Sequence, residues 1–321
     1  MNEPRMSRGD VWRLQYRQDR YAKHLTPPEL NQRIRDIVVN MLEVTPNGIG
    51  IGSMDIGADE VSNASTLWFE KWTHMLEEMK LRYGPYPAGF SREILHKEPL
   101  PDLASELAKK ATRRLEALGA KPADVFIKFG KRQYMESLYE SGALRIQPAT
   151  YFAETSHNQA VHDDELSIPL SFVVTRDDVL TVVSNPGDVP PNLEHARVDA
   201  TVQLPSDYWL YCVSSALAPR LFVDYAAEAC VIIRDHDRFT RMLHEASLMK
   251  LSGTTLRAGL AEYVDPLLPT SIPAVAFSKH FRYAYQHEYR FCWLPPHNIG
   301  RARHCDLEIG SLKDFSDLIV L

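Results

Sequence analysis

From Val125 onward the chain is strung with short β-rich runs that do not alternate with helices. In order they read VFIKF, ALRIQ, PLSFVVT, VLTVVS, ATVQL, YWLYCVSS, CVIIR, AVAFS and YRFCWL. Helical signals among them are few. One spans about Arg132 to Ser141, with Met135, Leu138 and Tyr139 turned inward and Gly142 suited to the C′ position. Another opens at Asp237 and carries Phe239, Met242, Leu243 and Ala246 on one side. Strands that outnumber helices without strict alternation argue against a doubly wound parallel sheet and for an α+β fold. SNPGDVPPNLEH (184–195) reads as a loop by its prolines and glycine.

The first 120 residues have a different, helical character. Thr26 is an N-cap candidate, with Pro27 at the first helical position and Glu29 closing a capping box. Behind it Ile34, Ile37, Val38, Met41 and Leu42 recur at helical spacing. Asn63 and Ser65 can cap a second helix with Leu67, Trp68, Trp72, Met75 and Met79 on its apolar face, stopped by Gly84 and the prolines that follow. A third is expected from about Asp102 to Leu118, with Leu103, Leu107, Ala111 and Leu115 aligned and Gly119 as its stop. Residues 1–120 are therefore predicted to be a helical N-terminal extension, and 121–321 the α+β domain.

Charge narrows the function classes. Net charge is −6; residues 1–120 hold 17 basic and 17 acidic side chains, so the whole deficit lies beyond them. Without a basic stripe, a general nucleic-acid binder is not expected. No apolar run approaches the length of a membrane span, and the arginine-rich start has no apolar h-region. Four cysteines in 321 residues make no disulfide scaffold, so a reducing cytoplasm is the expected setting.

Four patches carry candidate chemistry. In YAYQHEYRFCWL (283–294), read as a strand, His287, Tyr289, Phe291 and Trp293 fall on one face, and Gln286, Glu288, Arg290 and Cys292 on the other. That second face is either a satisfied ion pair or the floor of a polar cleft. YWLYCVSS (208–215) ends in two hydroxyls, Ser214 and Ser215, shortly before Phe222, Asp224 and Tyr225; no glycine-flanked elbow marks either serine as a hydrolase nucleophile. HDDE (162–165) reads as a solvated loop, with ion binding the less favoured alternative. In VFIKFGKRQYMESLYESGALRI, Lys128 and Arg132 put positive charge at the end of a strand, where a phosphate can dock. The spacing of Cys292, His297, His304 and Cys305 fits no paired zinc arrangement, and neither a Rossmann fingerprint nor a P-loop is present.

Taken in order, KFGKRQYMESLYESGALRI, TYFAE…HDDE, YCVSS…FVDYAAEACVII and YAYQHEYRF resemble a widespread family of bacterial domains of unknown function, met beside mobile-element and phage-defence genes. That family usually reads Asn-Asp-Pro-x-Glu or Asp-Pro-x-Glu in its acidic cluster, where this chain has Asp163-Asp164-Glu165 without the proline. The resemblance covers about residues 123–295. More distantly the order is similar to ADP-ribosyltransferases. It implies a mixed β core with NAD as substrate, and Lys128 or Arg132 at the pyrophosphate. Ser214 would steady the carboxylate or the nicotinamide ribose, and Tyr225 would stack on the nicotinamide. Glu288 would be the catalytic carboxylate, with Gln286 positioning the acceptor and Arg290 among the cofactor contacts. It further implies a toxin or phage-defence role. The acceptor stays open. So does a non-catalytic module on the same fold that binds a nucleotide or a protein, and a regulatory partner acting through the N-terminal helices.

Overall fold

The computed structural model describes residues 6–45, 48–51, 64–85, 102–117, 124–176 and 195–321. Three helices open it: α1 (Arg8–Gln18), α2 (Pro27–Met41) and, after the short hairpin β1 (Leu42–Thr45) and β2 (Gly48–Ile51), α3 (Ala64–Tyr83). The capping box forms as expected: the Thr26 side chain accepts from the Glu29 N–H, and the Glu29 carboxylate accepts from the Thr26 N–H at 2.8 Å. Leu30, Ile34, Ile37 and Met41 of α2 meet Met75 and Met79 of α3 in one apolar cluster, and Tyr16 joins from α1. Leu67, placed on the apolar face of α3, is exposed, whereas Glu78 is fully buried. Glu78 receives Tyr16 at 2.6 Å, Arg20 at 3.0 Å and Arg82 at 2.6 Å, so a charged hub replaces apolar contact on that side. Asn63 and Gly119 lie outside the described residues.

Next comes α4 (Glu106–Glu116), capped by Ser105 rather than starting at Asp102; Leu103 and Ala111 are buried as expected. Then follow β3 (Phe126–Gly130), α5 (Arg132–Ser141) and β4 (Ala143–Pro148). Gly142 closes α5 at φ 70°, the left-handed C′ position its place in the sequence implies. A hairpin of β5 (Ser167–Thr175) and β6 (His195–Gln203) stands apart from the main sheet. The expected strand at 179–184 and loop at 184–194 lie outside the described residues; His195, expected in that loop, opens β6.

The rest of the chain runs β7 (Trp209–Ser214), α6 (Pro219–Asp224), β8 (Ala229–Ile233), α7 (His236–Lys250), β9 (Thr255–Leu260), β10 (Glu262–Val264), β11 (Ser278–His280), β12 (Glu288–Leu294), β13 (Cys305–Glu308) and β14 (Ser316–Val320). AVAFS is not a strand: Val275–Phe277 form a 3-10 turn, and the Ala276 carbonyl turns to accept from Arg290 at 3.1 Å instead of joining a ladder.

Eight strands make the main sheet, in the order β13-β4-β7-β3-β8-β14, with β12 and then β9 added on β7. Its described ladders are antiparallel, which with the packed helices makes the fold α+β. β7 is the shared strand. Along one edge it pairs with β12 over its whole length. Along the other, Leu210 and Trp209 pair with β4, while Ser214 pairs with β3. The sheet forks there, because β3 and β4 diverge.

Helices α5 and α7 cover one face, where Phe126, Val231, Phe291 and Trp293 meet Met135, Leu138, Phe239 and Leu243. Helices α4 and α6 cover the other over β3 and β8, where Ile127, Phe129, Cys230 and Ile232 meet Ala111, Leu221 and Phe222. The central strands are thus buried on both faces. No helix among the described residues is long and apolar enough to cross a membrane.

The N-terminal helices are bonded into this body. Phe281, from the segment preceding β12, belongs to their apolar cluster. Arg33 pairs with Asp265, and Glu29 pairs with Arg197 at 2.6 Å.

Candidate functional site

A cavity of about 250 Å³ opens where the sheet forks, lined by Lys128, Phe129, Phe152, Glu165, Cys212, Ser214, Tyr225, Lys279 and Glu288 among others. Four of the seven sequence-derived candidates meet there: Lys128, Ser214, Tyr225 and Glu288. Each is placed by a different element. Lys128 is the middle residue of β3, Ser214 ends β7, Tyr225 caps α6, and Glu288 begins β12 directly across from Ser214.

Glu288 sits in a chain of buried charges. Its Oε2 is 2.9 Å from Lys279 Nζ and its Oε1 3.4 Å from Arg290 Nε. Arg290, with no exposed surface, turns its outer edge to Glu165, Nη1 to Oε2 at 2.8 Å and Nη2 to Oε1 at 3.1 Å. Burial pushes the Glu288 carboxyl up, but Arg290, Lys279 and the Cys212 thiol outweigh it and hold its pKa at about 2. Glu288 is therefore an anion at neutral pH and no general acid.

Glu165 goes the other way. Burial, with Asp163 adding to it, pushes its carboxyl up to about 7 against the pull of Arg290. Asp163 is also raised, first by burial. Three carboxylates face two strong cations, and the excess negative charge favours keeping a proton on the Glu165 side. Lys128 adds little to the balance: burial lowers its ammonium, which donates to the Cys212 carbonyl at 2.6 Å and stands over the Tyr211 ring.

The structure corrects several sequence readings. Gln286 does not share a strand face with Glu288. Phe281–Gln286 is a 3-10 turn, and His287 at φ 46° intervenes, so strand alternation starts only at Glu288. The Gln286 amide donates to Ala160 O at 2.9 Å, and its Oε1 is buried without a partner. Arg132 lies outside the cavity, exposed at the start of α5 and paired with Glu136 at 2.6 Å; of the two phosphate candidates only Lys128 lines it. Arg290 is an enclosed counter-ion whose edges are taken by carboxylates and by the Ala276 and Ser278 carbonyls. HDDE is not a solvated loop throughout, because Glu165 is buried by its pair with Arg290.

Ser214 steadies backbone: its hydroxyl lies 2.8 Å from Gln286 O and 3.0 Å from Ala216 O. Cys292 is a buried core residue of β12.

Two charged residues of the cavity were not legible in the sequence, Glu165 as a buried group and Lys279 altogether. A buried Arg290 demands carboxylate partners, but nothing local marks which residues supply them.

Lys128 and Phe129 also line a second, larger groove of about 840 Å³, with Tyr134, Arg145, Tyr151 and Lys250 along it. Set against known proteins, the chain matches no family model, no curated protein and no solved structure.

Proposed function

We propose that the chain is an ADP-ribosyltransferase-like enzyme that consumes NAD, with Glu288 as its catalytic carboxylate. The observation that carries this reading is the convergence of Lys128, Ser214, Tyr225 and Glu288 on one cavity from four separate elements. In such a reaction the bond between the ribose C1′ and the nicotinamide nitrogen breaks. The electron pair leaves with nicotinamide, and positive charge develops on the ribose. An anion fixed in a buried cavity stabilises that charge without reorganising, and Glu288 is such an anion.

The cavity is smaller than the roughly 300–1,000 Å³ of pockets that engulf a drug-sized ligand, so it takes a ring and its ribose rather than a dinucleotide. Tyr225 offers that ring an aromatic wall. The groove across Lys128, with Arg145 and Lys250, has room for the remainder. A toxin or phage-defence role follows the same reading.

A second reading has one observation in its favour. Lys279 and Arg290 already compensate Glu288, which suits a non-catalytic module that binds a nucleotide or a protein.

Nicotinamide release from NAD by the purified protein, wild type beside Glu288→Gln, separates the two. The enzyme reading expects release that falls by about 10²-fold or more in the variant. Equal release from both proteins refutes Glu288 as the catalytic group. Binding of NAD without release from either favours the module.

A further inference from the structure

We infer that Asn40 and Arg220 are positioning residues of this site, which makes the last turn of α2 a working part of it. The inference rests on the cavity being the site of the proposed reaction.

An α-helix leaves its last four carbonyls without partners inside the helix. α2 runs straight into β1 through Leu42 in extended conformation, with no glycine cap. Arg220 takes up one of these carbonyls, and Asn40 ties the same end to the turn before β12. Arg220, buried in α6, donates from Nη1 to Val39 O and to Leu42 O, the latter at 3.1 Å. Asn40 folds its Nδ2 back to Asp36 O at 2.8 Å and also reaches Phe281 O at 3.0 Å, while its Oδ1 accepts from the Tyr285 N–H at 2.9 Å.

Both residues bear on cavity walls. Arg220 pairs with Asp224 at 2.7 Å inside α6, and the next residue is Tyr225. Its guanidinium also lies 3.5 Å over the Tyr285 ring. Tyr285 leads through Gln286 and His287 into Glu288. Gln286 in turn holds Ala160, another cavity residue, and its carbonyl faces the Ser214 hydroxyl. Three walls therefore hang on segments tied to one helix end: Tyr225, the Ala160 loop and Glu288. These segments are a six-residue helix and a 3-10 turn, too short to keep a fixed place by their own hydrogen bonds. The N-terminal bundle has its own anchors in the Met75 cluster, which Phe281 at the start of the turn also enters, and in the Glu78 hub. Asn40 and Arg220 are not needed to hold it together.

The test uses the full chain with Asn40→Ala, Arg220→Lys and a control, Glu78→Gln, which weakens the bundle without touching the α2 end. Two readouts are taken. One is kcat and KM for nicotinamide release. The other is the native-state rate of thiol labelling at Cys212, mapped to its peptide. It needs no turnover, and Cys212 is the cysteine that lines the cavity while Cys230, Cys292 and Cys305 are buried.

In Asn40→Ala and Arg220→Lys, kcat is expected to fall about tenfold to a hundredfold, with a smaller change in KM, as a misplacement of about 1 Å produces. Cys212 labelling is expected to speed up about tenfold as the walls loosen. Glu78→Gln should lower the melting temperature and leave both readouts nearly unchanged. Readouts that do not move in the two variants, or that move equally in Glu78→Gln, overturn the inference. Where the wild type releases no nicotinamide the proposed reaction fails, and Cys212 labelling alone still decides the positioning role. Where Asn40→Ala does not fold, Asn40→Asp keeps the acceptor for Tyr285 and loses the two donated bonds; faster labelling supports the inference and an unchanged rate overturns it.

Discussion

Replacing Glu165 by Gln removes one carboxylate from the buried cluster while keeping its shape. In the wild type, burial raises this carboxyl from its ordinary value of 4.5 to about 7, although Arg290 lies 2.8 Å away. A group whose folded-state pKa is raised lends stability below its unfolded pKa and loses it as pH climbs through the folded value. The window for Glu165 thus runs from 4.5 to about 7. At about 1.4 kcal/mol per pH unit, the wild type forfeits about 3 kcal/mol across it. Gln has no proton to lose, so the variant does not. The other groups of the cluster titrate in both proteins and cancel to first order. Urea unfolding followed by tryptophan fluorescence, at about pH 5 and about pH 8, gives the difference directly. The variant should gain about 2–3 kcal/mol on the wild type between the two conditions. A constant difference, or one that moves in the wild type's favour, would show that the Arg290 contact keeps Glu165 ionised throughout, and would refute the dominance of burial.

Two further predictions concern the frame. Gly142→Ala places a Cβ against Gly310 O and 2.7 Å from Gly310 N, at a residue already held at φ 70°. It should cost about 3 kcal/mol or more, and a melting temperature within about 2 °C of wild type would contradict this. Thr26→Ala removes the hydroxyl half of the capping box on α2 and should cost about 1 kcal/mol. A shifted urea midpoint at constant slope is the expected result; an unmoved midpoint would show that Glu29, also bonded to Arg197, holds the helix end alone.

Local chemistry was the legible part of this molecule. Thr26-Pro27-Glu29 announces a helix start and Gly142 a helix stop because caps are settled by a few neighbouring residues. Most of the short β-rich runs announce strands for the same reason, AVAFS being the exception among the described residues. Alternation failed at 283–294 because β12 is buried on both faces and begins only after His287, a left-handed residue with no glycine to advertise it. In the site, Glu288, Ser214, Lys128 and Tyr225 were legible as an ordered set. Glu165 and Lys279 were not. A carboxylate in an acidic run looks solvated until the arginine that buries it, 125 residues later, is in place. Asn40 and Arg220 share that opacity: nothing in a helical pattern tells which polar side chain will reach 241 residues along the chain.

The forked sheet has a mechanical consequence. No ladder joins β3 to β4 among the described residues, and the edge of β7 from Tyr211 to Val213 faces a seam between them. The bond from Lys128 to the Cys212 carbonyl spans that seam. Helix α5, the link between β3 and β4, packs on both, so the two half-sheets share one apolar core while the β7–β12 ladder runs unbroken beside the seam. Where a strand would close that edge of β7, a single lysine side chain does so instead.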